Sequence, residues 1–280
     1  MSLVINGVSG SLGRRVAELV LEQTSDVVLL TRTPEQLSGL DAEIRRADFD
    51  DPDSLDGAFA GGSRMLLVSL PVIGARVPQH TAAIAAAARA GVGFIAYTSI
   101  VNPGPENPAA VAAEHLATEE ALRASGVEWA FLRNSIYADL QPTSARAALA
   151  SGRLVTNMGD GRTAYVTRED CARVAAAVLL GTGHEGKSYD VTGPVALSAA
   201  DLAALYADVG GRPVEVVSVD DAAYAAGLVE HAGLLPAVAE IYATFGAATR
   251  KGALSAQTDV VERLTGRAPA SVRELLEAAL

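Results

Sequence analysis

The sequence predicts an α/β fold: a doubly wound parallel sheet covered by helices on both faces, with a smaller C-terminal α/β lobe. Three observations lead there. Short apolar runs alternate with helical segments through residue 133. Three glycines, Gly7, Gly10 and Gly13, mark the passage from the first apolar run to the first helix. After residue 140 the rhythm changes to shorter strand-like pieces interleaved with helices. A chain of 280 residues, 50% hydrophobic, can bury one large core. The expected division is a sheet domain over 1–140 and a second lobe over 141–280, partly interleaved and sharing that core.

"SLVI" (2–5) reads as the first strand, and "GRRVAELVLEQ" (13–23) as a helix with Val16, Leu19 and Val20 on one face. "DVVLLTR" (26–32) and "EIRRADF" (43–49) follow as strands. "RMLLVSL" (64–70) is the fourth, "HTAAIAAAARAG" (80–91) an alanine-rich helix and "GFIAYTS" (93–99) the fifth strand. A helix over 109–125 leads to the strand "VEWAFLR" (127–133). In the second lobe "GRLVTN", "TAYVT", "KSYDVTG" and "PVEVVSV" are strand-like, between helices near 168–181, 198–209, 220–231, 234–250 and 271–279. Thr167 with Asp170 reads as a helix N-terminal cap.

The formal charge of −11, with no dense Lys/Arg block, opposes a phosphate backbone and points to a small-molecule partner instead of nucleic acid. One cysteine, Cys171, excludes an intramolecular disulfide and a cysteine-rich metal site, and fits a reducing cytoplasm. No cationic leader and no run approaching ~20 apolar residues is present, so a cytoplasmic chain without a membrane span is expected. A homo-oligomer is compatible with the sequence.

Gly7, Gly10 and Gly13 suit a strand-to-helix turn at which the backbone approaches a pyrophosphate and the helix N-terminus stabilises its charge. Ser9 and Ser11 add hydroxyls, and Leu12 completes the turn. A carboxylate at the end of the second strand would bind a ribose 2′-hydroxyl, but Arg32 stands there and suits a 2′-phosphate. NADP(H) is therefore expected ahead of NAD(H), with Arg14 or Arg15 as further phosphate contacts. Ligands of open parallel sheets collect at the carboxyl ends of the strands. That places Asp48 and Phe49 beside the adenine, Ser69, Leu70 and Pro71 at the middle, and Tyr97, Thr98, Arg133 and Asn134 near the nicotinamide.

"ADFDDPDSL" (47–55), "VPQH" (77–80), "GVGFIAYTSI" (91–100), "EHLATEEAL" (114–122), "SGVEWAFLRNSIY" (125–137), "GDGRTAYVTREDCA" (159–172) and "GHEGKSYDVTG" (183–193) extend the pattern over most of the first 195 residues. Together with the glycine turn they resemble the NmrA-like branch of the atypical short-chain dehydrogenases/reductases, most closely the type 2 NAD(P)H:quinone oxidoreductases and the triphenylmethane reductases. The resemblance implies a Rossmann-type domain with the active cleft against the C-terminal lobe. It also implies that Arg133 to Tyr137 line the nicotinamide. "NGVSG" departs from the Thr-Gly-Ala-Thr-Gly turn usual in the family, while Ser9 keeps a hydroxyl.

None of the seven tyrosines has a lysine four residues later, so the usual short-chain dehydrogenase acid–base pair is missing. Quinones and delocalised dyes accept hydride into a conjugated system and draw a proton from solvent, which makes a quinone or polycyclic aromatic the expected substrate. His115, four residues before Glu119, is a candidate proton donor, which aligning "EHLATEEAL" sets roughly where some reductases carry a catalytic lysine. Tyr137, Ile136 and Tyr165 are candidate substrate contacts, Tyr137 also as a catalytic residue. No metal site is expected. Two alternatives remain open: a tailoring monooxygenase of an aromatic polyketide on the same scaffold, and a non-catalytic redox-sensing regulator.

Overall fold

The computed structural model describes residues 2–55 and 57–280. Its strands are β1 (Ser2–Asn6), β2 (Val27–Thr31), β3 (Glu43–Arg46), β4 (Gly62–Leu67), β5 (Phe94–Ile100), β6 (Glu128–Asn134), β7 (Arg153–Thr156), β8 (Lys187–Val191) and β9 (Glu215–Ser218). The helices are α1 (Ser11–Leu21), α2 (Arg76–Arg89), α3 (Ala112–Ala124), α4 (Gln141–Ser151), α5 (Arg168–Leu180), α6 (Ala199–Gly210), α7 (Asp221–Ala232), α8 (Pro236–Arg250), α9 (Val260–Thr265) and α10 (Val272–Ala279).

Seven strands form one parallel sheet in the order β3-β2-β1-β4-β5-β6-β8. The chain leaves β1 toward β2 and returns past it to β4, so the order reverses between β1 and β4, the place where ligands of such sheets bind. Successive strand residues point to opposite faces, and both faces are apolar. Leu3, Ile5, Leu29, Leu66, Ala96 and Leu132 pack into the core under α1 and α5. Val4, Val28, Leu30, Met65, Ile95, Tyr97 and Phe131 pack into the core under α2 and α3.

Elements from both sides of residue 140 share the main sheet and its helical layer. α5 packs along α1, and the "KSYDV" segment expected in the second lobe is β8, paired with β6 at the edge of the main sheet. The second lobe is built from α4, α6 and α10 around Tyr206 and Leu276, with β7 and β9 as a separate parallel pair and α7–α8 as a helical hairpin. "TAYVT" is not a strand: it threads between the lobes and makes isolated bridges only, Tyr137 with Val166 and Thr163 with Leu197. Two helices were not read from the sequence. α4 buries Gln141, Ala145 and Ala148 and carries no aliphatic stripe, and α9 spans six residues. No helix among the described residues is long and apolar enough to cross a membrane.

Candidate active site

The glycine turn is held from both sides. Asn6, at the end of β1, donates from Nδ2 to the Val68 carbonyl at 3.1 Å and accepts the Val68 N–H on Oδ1 at 2.6 Å, tying β1 to the end of β4. Gly7 then takes φ +72°, a left-handed conformation open to glycine. A Cβ on Gly13 would lie 2.3 Å from the Gly7 carbonyl oxygen, so α1 packs directly on the turn. α1 has Gly10 at its N-cap and no side-chain cap, leaving its first-turn N–H groups to a ligand.

One cavity of about 770 Å³ runs from this turn along the carboxyl ends of the strands. Gly7, Ser9, Gly10, Ser11, Leu12 and Gly13 line it, as do Arg32, Asp48, Phe49, Ser69, Leu70 and Pro71. Thr98, His115, Asn134, Ile136, Tyr137 and Tyr165 line its other end. Arg32 is exposed and makes no ion pair among the described residues, so its guanidinium is open to an anion. Arg14 and Arg15 are committed elsewhere, and the phosphate role expected of them is corrected. Arg14 binds Glu18 and the Ser38 carbonyl, and Arg15 grips Glu169 through two hydrogen bonds, 2.7 and 3.2 Å, pinning α1 to α5.

Two further expectations are corrected by strand alternation. Tyr97 does not line the cavity: it shares a face with Ile95 and lies fully buried beneath α2 and α3. Arg133 shares a face with Phe131 and turns to α3, where Nε and a terminal nitrogen bind Glu119 at 2.9 and 2.7 Å. Their neighbours Thr98 and Asn134 alternate back to the cavity.

Gln79, Met158, Arg168, Tyr224, Tyr242 and Phe245 line the cavity without a sequence signal for that role. Gln79 donates to Asp50 at 2.6 Å, which leaves its buried Oε1 without a partner at the Asp48–Phe49 end. Asn134 Oδ1 and Ser135 Oγ are likewise buried without partners at the other end. Beyond them the second lobe supplies an aromatic wall of Tyr165, Tyr224, Tyr242 and Phe245, with Met158 at 3.8 Å from the Tyr165 hydroxyl. Arg168 lies over the Tyr137 ring at 4.8 Å. The only two lysines, Lys187 and Lys251, are exposed and do not line the cavity.

The family model described as NAD(P)H-binding matches residues 7–181. The chain belongs to that family. It is 35% identical over 277 residues to quinone oxidoreductase 2 of Escherichia coli (strain K12), covering 97% of this chain and 96% of that one. Among solved structures, the NADPH-dependent quinone oxidoreductase from Escherichia coli complexed with NADPH superposes with TM-score 0.94 at 34% identity, covering 99% of both chains. The Citrobacter sp. triphenylmethane reductase complexed with NADP(H) gives TM-score 0.92 at 33% identity, covering 100% of both. The resemblance read from the first 195 residues therefore extends over the whole chain. An NAD(P)H-binding family member requires a cradle for a dinucleotide, and the cavity has one. A Cβ would break the turn at Gly13, α1 is uncapped, and orphaned polar atoms wait at both ends: Gln79 Oε1 at one, Asn134 Oδ1 and Ser135 Oγ at the other.

On the α2–α3 side of β5 this family member buries polar groups in rows. His80 is pulled down to about 3 by burial first and the Arg76 charge second, and His115 is held well below its usual value by burial, then Arg76, then His80. Both imidazoles are thus neutral in the folded protein but take up a proton near pH ~6.5 when unfolded. Below that pH the unfolded state binds more protons, so each histidine removes stability as pH falls from ~6.5 toward its folded value, at up to about 1.4 kcal/mol per pH unit. Melting temperature should therefore be level above ~6.5 and fall steadily between pH 6.5 and 5, with a shallower fall for His80→Gln. A flat profile over that interval would refute the assignment.

Proposed function

We propose that the protein is an NADPH-dependent reductase of a quinone or similar conjugated aromatic acceptor. The observation that carries this reading is a single cavity joining a pyrophosphate-type glycine turn and an unpaired Arg32 to an aromatic pocket without a lysine. The α1 N-terminus with Gly7 to Gly13 would hold the diphosphate and Arg32 the 2′-phosphate. Asp48, Phe49 and Gln79 would flank the adenine, and Asn134 and Ser135 would meet the carboxamide. When bound, the reduced nicotinamide supplies a hydride.

The chain's own part is binding, orientation and exclusion of water. Tyr165, Tyr224, Tyr242 and Phe245 offer ring faces and edges to a flat acceptor. Burial pushes the Tyr137 phenol far up, so it stays a neutral donor or acceptor of hydrogen bonds and is no base. Acceptors whose reduced form spreads its charge over a conjugated system need no acid of alkoxide strength, in keeping with the absent Tyr–Lys pair. Open space beyond the Asn134 end of the cavity, walled by Tyr165, Tyr224, Tyr242 and Phe245, favours catalysis over a sensor role, which needs no acceptor pocket.

The test is stopped-flow absorbance of the NADPH-loaded protein against a panel of quinones, under argon and under air. Rapid NADPH oxidation under argon is expected; turnover that requires oxygen would favour the oxygenase alternative, and no turnover in either gas the regulator. Arg32→Ala should raise the Kd for NADPH by roughly 10–100-fold, the worth of charge-assisted hydrogen bonds to a phosphate, and leave that for NADH within about threefold. Equal losses for both cofactors would remove Arg32 from the phosphate site.

A further inference from the structure

The hydrogen bonds behind the cavity have a direction. The Leu70 N–H donates to His80 Nε2 at 3.2 Å, so neutral His80 carries its proton on Nδ1 and gives it to Thr118 Oγ1 at 3.1 Å. Thr118 in turn donates to the Glu114 carbonyl at 2.9 Å. The buried Tyr97 hydroxyl lies 2.8 Å from His115 Nδ1. That is the one hydrogen bond of the Tyr97 hydroxyl among the described residues, so its O–H donates to Nδ1; the reverse direction would leave a buried hydroxyl proton without an acceptor. A neutral imidazole that accepts on Nδ1 carries its proton on Nε2. His115 Nε2 makes no hydrogen bond within the described protein, and the residue forms part of the cavity wall.

Burial first, and the Arg76 charge on α2 second, keep this imidazole neutral; His80, also on α2, adds a smaller opposition to a second proton. From α3 itself, Glu114 is paired with Arg76 at 3.2 Å, and Glu119 with Arg133 and Arg123 at 2.7 and 3.1 Å. Tyr97, from β5, is pushed up by burial and stays protonated.

We propose that His115 is an Nε2–H hydrogen-bond donor to the carbonyl oxygen of the acceptor, and that Tyr97 is the positioning residue that fixes its tautomer. This rests on the reductase reading. Hydride addition brings an electron pair to the acceptor, breaks its carbonyl π bond and leaves the negative charge on oxygen. Nε2–H stabilises that oxyanion by a hydrogen bond without giving up its proton, since loss would leave an imidazolate. The proton that completes the product comes from water. This revises the role of proton donor expected of His115. It also limits the acceptors to those reduced to a phenolate or enolate, which survives until water protonates it; simple ketones and aldehydes, which become alkoxides, are excluded.

Two arms test the proposal on the NADPH-bound protein. In ¹⁵N-histidine spectra, His115 should show the Nε2–H neutral tautomer from pH 6 to 8 in the wild type and a mixture of tautomers in Tyr97→Phe. An imidazolium, or the Nδ1–H tautomer, would overturn the assignment without requiring any variant to fold. In kinetics with a quinone, His115→Phe should lower kcat at least tenfold and leave KM and the Kd for NADPH within threefold. His115→Gln, which restores an N–H, should recover most of the loss, and Tyr97→Phe should fall between. Unchanged kcat in a folded His115→Phe protein overturns this proposal alone. A wild type that reduces no conjugated acceptor overturns the reductase reading, and the acceptor role of His115 with it, while the tautomer spectrum still reads Tyr97.

Discussion

Gly13→Ala should weaken NADPH binding at least a hundredfold, the largest loss expected from so small an addition. The added methyl would sit 2.3 Å from the Gly7 carbonyl oxygen and 2.9 Å from that of Asn6, and both are backbone atoms. Neither can step aside. Asn6 is fixed by its two hydrogen bonds to Val68, and Gly7 accepts the Gly10 N–H at 2.9 Å within the turn. The helix must move instead, carrying the N–H groups of its first turn away from the place where the diphosphate would lie. Misplacement by about 1 Å suffices to lose most of an oriented electrostatic interaction. Gly10→Ala is the internal control, because its Cβ would stand 3.4 Å from the Gly7 oxygen and Gly10 has an ordinary φ of −96°. Its loss should stay within tenfold. Fluorescence titration, together with the thermal shift produced by saturating NADPH, measures both. Equal binding by the Gly13→Ala and wild-type proteins would show that this turn does not hold the diphosphate.

The buried strands and the glycine turn were legible because each carries its own signal: a continuous apolar run for β1, β2, β4, β5 and β6, and glycine spacing for the turn. β8 reads as a strand, but its place in the main sheet and not among the elements of the second lobe has no signal of its own. It is an edge strand with exposed Lys187 and Ser188, and nothing in five residues says which sheet will accept them. Tyr97 and Arg133 show a signal that was present and unused. Both stand at strand carboxyl ends, yet the period-two alternation set by Ile95 and Phe131 already sends them to the α2–α3 side. Tyr224, Tyr242 and Phe245 had no such signal. Their place in the cavity depends on where the α7–α8 hairpin sits at its wall, a tertiary fact that local pattern does not encode. Gln79 is visible only as a polar atom left without a partner, whereas Ser135 falls within the stretch Arg133 to Tyr137 that the resemblance sets at the nicotinamide.

Glu119→Ala should cost about 3–5 kcal/mol of stability, the range for breaking a buried ion pair from one side. The Glu119 side chain is fully buried and accepts hydrogen bonds from the Ser99 hydroxyl at 2.8 Å, from Arg133 at 2.9 and 2.7 Å and from Arg123 at 3.1 Å. Glu119 in turn holds the Arg133 pKa above its ordinary value, the mark of a cation stabilised by its partner. Alanine would leave the Arg133 guanidinium, with 23% of its side chain exposed, facing a cavity instead of a carboxylate. Removing both charges is a different experiment, because an apolar pair of similar volume escapes the desolvation cost that the ion pair carries. Glu119→Met with Arg133→Met should therefore recover most of the stability lost in Glu119→Ala. The consequence reaches the site through β5 and β6: Glu119 clamps Ser99 and Arg133, which are paired in register, and each is chain neighbour to a cavity residue, Thr98 and Asn134. Glu119→Ala should accordingly weaken NADPH binding as well, whereas the double variant regains stability but not full affinity. Urea unfolding with and without saturating NADPH separates the two effects, and a loss under ~1 kcal/mol in Glu119→Ala would mean that the clamp is not what holds these strand ends.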